Sequence, residues 1–237
     1  MWNTFIYEPI YNALIFIAQH VALKDVGLAV VILTIIIRLI LSPLSKRSIV
    51  SQYKMKALEP KLAAIKAQGL SKEEEAKQTF ALYKQEKINP FSGCLYLLIQ
   101  LPILFALYRV FIHGIYQPGS LYASLTTAGL SNNFLGLVDI TKPFLIFAIL
   151  AGVTQALQAF LAPKPAMPTD NEKGFQAQFA KSMSMQTRYI LPLIIIFIAA
   201  KLAAAVSLYW VVANLFSIGQ ELYFRKTVRN KLNPVQV

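Results

Sequence analysis

Arg38 stands in the middle of the apolar run VGLAVVILTIIIRLILSPL, residues 26–44. A full charge at the depth of hydrocarbon costs roughly 3 kcal/mol on insertion scales, so such residues mark functional sites by default. The common silent compensation is a buried carboxylate. All eleven acidic residues, Glu8, Asp25, Glu59, Glu73, Glu74, Glu75, Glu86, Asp139, Asp170, Glu172 and Glu221, lie outside the apolar runs. The expectation is that Arg38 is satisfied from outside the fold, by water, a lipid headgroup or a passing substrate.

The chain has 237 residues, 56% hydrophobic and 14% charged, where a soluble domain carries about 25% charged residues. Its apolar residues are grouped into runs near the roughly 20 residues that cross a bilayer. Runs at about 26–44, 93–112, 143–162, 189–200 and 205–220 predict five transmembrane helices, hence an all-α integral membrane protein. The last two form one stretch too long for a single span, so a tight reversal is expected near Lys201. Ten of the 23 Lys and Arg fall in 46–90, four in 163–188 and four after Glu221. The alternate segments hold only Lys24, Lys142 and Lys201. The positive-inside bias then puts the N-terminus outside and the C-terminus in the cytoplasm.

This divides the chain into an outer amphipathic interfacial helix (1–24), a first span (25–45) and a basic cytoplasmic helical hairpin (46–90). A second span (91–112), an outer loop (113–142) and a third span (143–162) follow. A cytoplasmic linker (163–188), the fourth and fifth spans (189–221) and a basic cytoplasmic tail (222–237) complete it. The first twenty residues lack the basic start and small-residue cleavage site of a signal peptide. There Trp2, Phe5, Ile6, Pro9, Ile10, Ala13, Leu14, Ile17 and Val21 recur at helical spacing, with Asn3, Thr4, Tyr7, Glu8, Tyr11 and Asn12 on the other side. Within 46–90, Met55, Leu58, Leu62 and Ile65 form a seam opposite Ala76, Phe80, Tyr83 and Lys87. Pro60 marks a kink or restart. Gly69 ends the first arm, and Ser71 with Glu74 makes a capping box for the second.

Residues three or four apart share a helix face. On the first span Thr34, Arg38 and Ser42 form a stripe continued by Ser45; on the second, Tyr96 and Gln100 align. Thr154, Gln155 and Gln158 cluster on the third, and Ser207, Trp210, Asn214, Ser217 and Glu221 follow one another on the fifth. The fourth run is plain from Ile190 to Ala200. The pattern predicts a polar cavity walled by four helices, with the fourth facing lipid. Polar residues in spans also serve as interhelical glue, worth about 0.6 kcal/mol each, but glue does not need a full charge. Arg109, near an outer end, reaches the headgroups by snorkelling.

Other classes find little support. Cys94 is alone, so there is no disulfide framework, and His20 and His113 have no ligand-spaced neighbours. No HExxH, GxSxG or phosphate-cradling loop occurs, and no acid lies within a run to do proton chemistry. The chain therefore reads as no enzyme, with no cofactor and no metal. Nucleic-acid binding lacks a motif, apart from contact of the basic tail with ribosomal RNA. A small-solute channel using Arg38 as an anion site, and a passive assembly scaffold, are the competing classes.

The run YKQEKINPFSGCLYLLIQLPILFALY at 83–108 resembles the signature of the YidC/Oxa/Alb membrane protein insertases. So do IIIRLILSPLSKRS at 35–48, AGVTQALQ at 151–158 and AAAVSLYWVVANLFSIGQ at 203–220, in the family's order over roughly 26–225. The resemblance implies a short bacterial form without the large periplasmic domain. It implies five helices around a hydrophilic groove open to cytoplasm and lipid but closed outside. Such a protein inserts and helps fold nascent membrane proteins as an insertase and chaperone in protein transport, alone or with the Sec translocon. The groove arginine falls on Arg38, the groove glutamine on Gln155 or Gln158, and the groove tryptophan on Trp210. The polar stripes add Thr34, Ser42, Gln100 and Asn214 as expected groove residues. The hairpin and tail are implied to meet the ribosome and the signal recognition machinery. A monomer in the bacterial plasma (inner) membrane is expected. The turn between the last two spans, KLAAA at 201–205, lacks the family's Pro or Gly.

Overall fold

The structure, a computed structural model, describes residues 1–89, 92–115, 120–162 and 185–232. It is mostly helical. A π-helical turn, Asn3–Tyr7, leads into α1, Glu8–His20. Next come α2 (Val26–Ile40), α3 (Ser42–Ala57), α4 (Glu59–Ala67), α5 (Lys72–Gln85), α6 (Ser92–Ile112) and α7 (Leu145–Leu161). A second π-helical turn, Gln186–Ile190, opens onto α8 (Leu191–Ala199), and α9 runs from Ala204 to Leu232. The expected tail from 222 is thus, as far as Leu232, a continuation of α9.

The straight helix expected over 26–44 is instead two. α2 stops at Ile40, and α3 leaves at 61° to it. Pro43 stands in the first turn of α3, where its missing N–H costs nothing and its ring opposes continuation of the preceding helix. Among the described residues no single helix is long and apolar enough to cross a membrane, although α2 and α3 together reach that length and composition.

The core gathers α1, α2, α6 and α9. Tyr7, Tyr11, Leu14, Ile15 and Ala18 of α1 are buried against Val26, Ala29, Val30 and Leu33 of α2 and Ile103, Leu107 and Val110 of α6. Here the sequence pattern misled. Tyr7, Tyr11 and Asn12, expected on the polar side of α1, are its buried side, because the Tyr11 hydroxyl donates to the Ile115 carbonyl (2.7 Å). Asn12 likewise donates to the Ser120 carbonyl and accepts from the Tyr122 N–H (2.8 and 2.7 Å). Phe5, Phe16 and Val21 are exposed instead. Arg109 lies over the Tyr7 ring (4.6 Å) and donates to Asn3 Oδ1 (2.7 Å).

Residues 120–142 fold over one end of the bundle, and the all-α expectation misses a small antiparallel hairpin there, Asn133–Phe134 with Val138–Asp139. Asp25 joins it to α2: one carboxylate oxygen caps Leu28 N–H (2.9 Å) and the other accepts from Leu135 N–H (2.7 Å). Gly27 lets the hairpin sit close, since a Cβ there would lie 2.7 Å from Phe134. The same cover reaches α9, whose first N–H groups at Ala204 and Ala205 donate to the Lys142 and Ile140 carbonyls (2.8 and 3.0 Å).

α7 packs between α8 and α9. Gly152 permits the close approach of α8, because a Cβ would collide with Ile196 and come within 2.9 Å of the Pro192 carbonyl. Lys201 and Leu202 bond back to Ile198 and Ala199, so the chain reverses there without Pro or Gly. Leu193, Ile194, Phe197 and Ile198 of α8 are exposed. Together with Ile36, Leu39, Phe105, Ile146, Leu150 and Leu157 they give the bundle an aliphatic outside, which is unfavourable in water on that scale.

At the other end α4 and α5 make the hairpin. Leu58, Leu62 and Ile88 are buried with Met55, Leu82 and Tyr83 around them. Phe80, expected in the seam, is exposed, and Lys87 has a left-handed backbone (φ 51°) that ends the arm. α4 restarts at Glu59 after Leu58, which accommodates Pro60 near its N-terminus. Gly69 (φ 65°) closes that arm, and Ser71 Oγ accepts from Glu74 N–H (3.3 Å) in the capping box.

Candidate functional site

Arg38 projects from α2 into the space between α6 and α9 and is 5% exposed. Its Nη2 donates to Gln100 Oε1 at 2.7 Å, and the Gln100 amide in turn donates to the Tyr209 hydroxyl of α9. This corrects the expectation that Arg38 must be satisfied from outside the fold. An amide 62 positions away does part of that work, and no carboxylate pairs with Arg38 among the described residues. Gln100 is suited to the place, because its carbonyl oxygen faces the cation while its NH₂ remains free to donate onward. The chain of three polarises along its length.

A second polar cluster lies beyond the bend. Ser45 Oγ donates to Gln220 Oε1 (2.8 Å), and Gln220 Nε2 donates to Ser42 Oγ (2.9 Å), tying α3 to α9. Beside Gln220, the Tyr53 hydroxyl donates to Glu221 Oε1 at 2.8 Å. Between α3, α7 and α9, Ser45 and Glu221 border a recess of about 80 Å³ that Ser48, Ile49, Gln52, Gln158, Ala162 and Ser217 also line. The polar seam therefore runs from Arg38 along one side of α2 and α3 toward the hairpin end.

Not every expected site residue joins it. Gln158 lines the recess, whereas Gln155 is half-buried and not among its lining residues. Asn214 points at α7, donating to Thr154 Oγ1 (3.2 Å) and the Ala151 carbonyl (3.3 Å), as interhelical glue. Thr34 bonds back to the Val30 carbonyl (2.6 Å) within its own helix. Trp210 is half-buried and packs on the aromatic and aliphatic core. Arg38 itself does not line the recess, so the single four-walled cavity expected is here a buried polar triad with a separate recess beyond it.

Tyr209, Gln220, Tyr53 and Ser48 were not singled out. Signals existed: Gln220 lies three residues after Ser217, a spacing as good as the four to Glu221, and Tyr209 adjoins the chosen Trp210. Among the described residues no His, Cys, Asp or Glu group of three could hold a metal ion.

A polar seam enclosed by helices whose outer faces are aliphatic is the architecture of a helical membrane protein. A family model described as 60Kd inner membrane protein matches residues 16–231, and the chain belongs to that family. Among its relatives, it is 35% identical over 231 residues to the membrane protein insertase YidC of Ectopseudomonas mendocina, across 97% of this chain and 36% of that protein. It is 32% identical to the membrane protein insertase YidC of Campylobacter jejuni over 95% of this chain and 38% of that protein. To membrane protein insertase YidC 2 of Listeria innocua it is 35% identical over 210 residues, 86% of this chain and 66% of that protein. The chain thus spans a little over a third of the length of the first two relatives and about two thirds of the third.

Proposed function

We propose that this chain is a membrane protein insertase that admits polar parts of nascent membrane proteins through a groove centred on Arg38. Five spans with the N-terminus outside and the C-terminus inside carry it in the bacterial plasma membrane. The observation that carries the reading is the one-sided polar seam. It leads from the hairpin end, through Glu221, Gln220, Ser45 and Ser42, to the Arg38–Gln100–Tyr209 triad. The opposite end is covered by the outer loop and its hairpin. The names of the relatives, the asymmetric positive charge and the exposed aliphatic belt support the same placement.

The seam shortens the hydrophobic barrier from the cytoplasmic side. An acidic or polar tail of the client exchanges for Gln100 at Arg38, where attraction is stronger than in water though burial costs offset much of it. The client's apolar segment meanwhile partitions into lipid. Thr34, Ser42, Gln155, Gln158, Trp210 and Asn214 belong to the groove in its open form. The hairpin (46–90) and basic tail meet the ribosome, signal recognition machinery or Sec translocon, and no nucleotide is consumed.

Reconstitution in liposomes with a single-span client bearing an acidic translocated tail tests this. Protease protection of the tail is expected with the wild type, lower by at least ten-fold with Arg38→Ala, and largely kept with Arg38→Lys. Protection equal to that of empty liposomes would overturn the reading.

A further inference from the structure

Glu221 stands at the hairpin end of the seam, outside the Arg38–Gln100–Tyr209 triad. It is 6% exposed, and its carboxylate borders the recess between α3, α7 and α9. Among the described residues it accepts one hydrogen bond, from Tyr53, and no ion pair within 4 Å. A carboxylate offers about four acceptor positions, and one phenol is thin compensation for an anion removed from water. Of the cations nearby, Lys46 lies over the Phe224 ring (5.7 Å), and Arg225, one turn on, is exposed and acts on Glu221 through space without an ion pair within 4 Å. Of the other recess walls, Ile49 and Ala162 are apolar, and Ser45, Ser48, Gln52, Gln158 and Ser217 are neutral hydrogen-bonding groups, suited to sharing the protons of an ammonium. The space is about 80 Å³, against about 30 Å³ for each water. That is room for a cationic head and not for a helix.

We infer that the Glu221 recess is a binding site for a basic side chain, Lys or Arg, flanking the hydrophobic segment of a client on its cytoplasmic side. The inference rests on the insertase reading and deepens it. Arg38 takes the part of the client that crosses, and Glu221 holds the positive flank that stays. The positive-inside bias of clients is then read by one carboxylate within a chain of net charge +12. That overall charge repels basic peptides, and the ten Lys and Arg of 46–90 add to the repulsion. A preference for them is therefore a signature of this site.

The test is binding of fluorescent single-span peptides to the purified protein in detergent, read by anisotropy, so that it reports whether or not insertion is observed. Peptides carry two Lys, two Gln or two Glu at the cytoplasmic flank. The wild type is expected to bind the Lys peptide at least five-fold more tightly than the Gln peptide. Glu221→Gln, which still accepts from Tyr53 and so keeps the fold, brings the ratio near one; Glu221→Lys reverses it in favour of the Glu peptide. A Lys preference unchanged in Glu221→Gln, or no Lys preference in the wild type, overturns the inference. Failure of tail protection in liposomes with this discrimination intact would instead overturn the insertase reading.

Discussion

Arg38 of α2 and Gln100 of α6 meet through a 2.7 Å hydrogen bond, and Gln100 passes the contact on to Tyr209 of α9. Three helices are thereby joined at one buried point. Hydrogen bonds to charged groups contribute about 1.5–3 kcal/mol, and a buried donor left without its acceptor loses the full amount. Gln100→Leu is expected to destabilise the bundle by about 2 kcal/mol, seen as a lower midpoint in detergent thermal unfolding. Tyr209→Phe, which ends the chain one link later between neutral groups, should cost only about 1 kcal/mol.

At Gly152 the absence of a side chain sets the spacing of α7 and α8, since interhelical packing in a membrane depends on close van der Waals contact. Gly152→Ala is expected to lower stability by about 1–3 kcal/mol through overpacking. Adding Ile196→Ala should restore only part of the loss, because the Pro192 carbonyl remains 2.9 Å from the new methyl. Paired thermal melts of the single and double variants measure the difference.

Asp25 serves two elements at once, capping α2 at Leu28 and holding the β-hairpin at Leu135. Asp25→Ala is expected to cost about 1–2 kcal/mol, of the order of other lost N-caps. Hydrogen exchange should quicken at both Leu28 and Leu135, although 107 positions separate them.

The end of the small hairpin carries its own pH dependence. Hydrogen bonding from Lys142, and then from the Thr141 hydroxyl and N–H, lowers the Asp139 carboxyl from 3.8 to about 2. A carboxyl held lower in the folded chain takes up its proton first in the unfolded one. Its stabilisation is therefore complete above about pH 5 and fades as pH falls toward 2. An NMR titration of Asp139 should give that low midpoint, and Lys142→Gln should raise it.

Much of this was legible in the sequence. Apolar runs, Gly69, the Ser71–Glu74 box and the reversal at Lys201 are local signals, written within a turn or two of where they act. The inward face of α1 was not, because a buried tyrosine and a surface tyrosine look alike until the carbonyl of Ile115 is placed beside Tyr11. Arg38 was recognisable as costly, and Gln100 as polar at a facing position. That one would satisfy the other depends on helix rotation, which hydropathy does not encode. The bend at Leu41 was hidden for a related reason: SPL at 42–44 continues an apolar run in composition while Pro43 breaks it in backbone.

The cover over the start of α2 has a consequence for how this protein is itself made. The start of α2 acquires its partners at Ser131 and Leu135 only after the ribosome has added a further hundred or so amino acids. Until then the apolar stretch of α2 has its N-terminal end unfinished, so on the insertase reading a newly made copy is briefly a customer for the kind of help it is proposed to give.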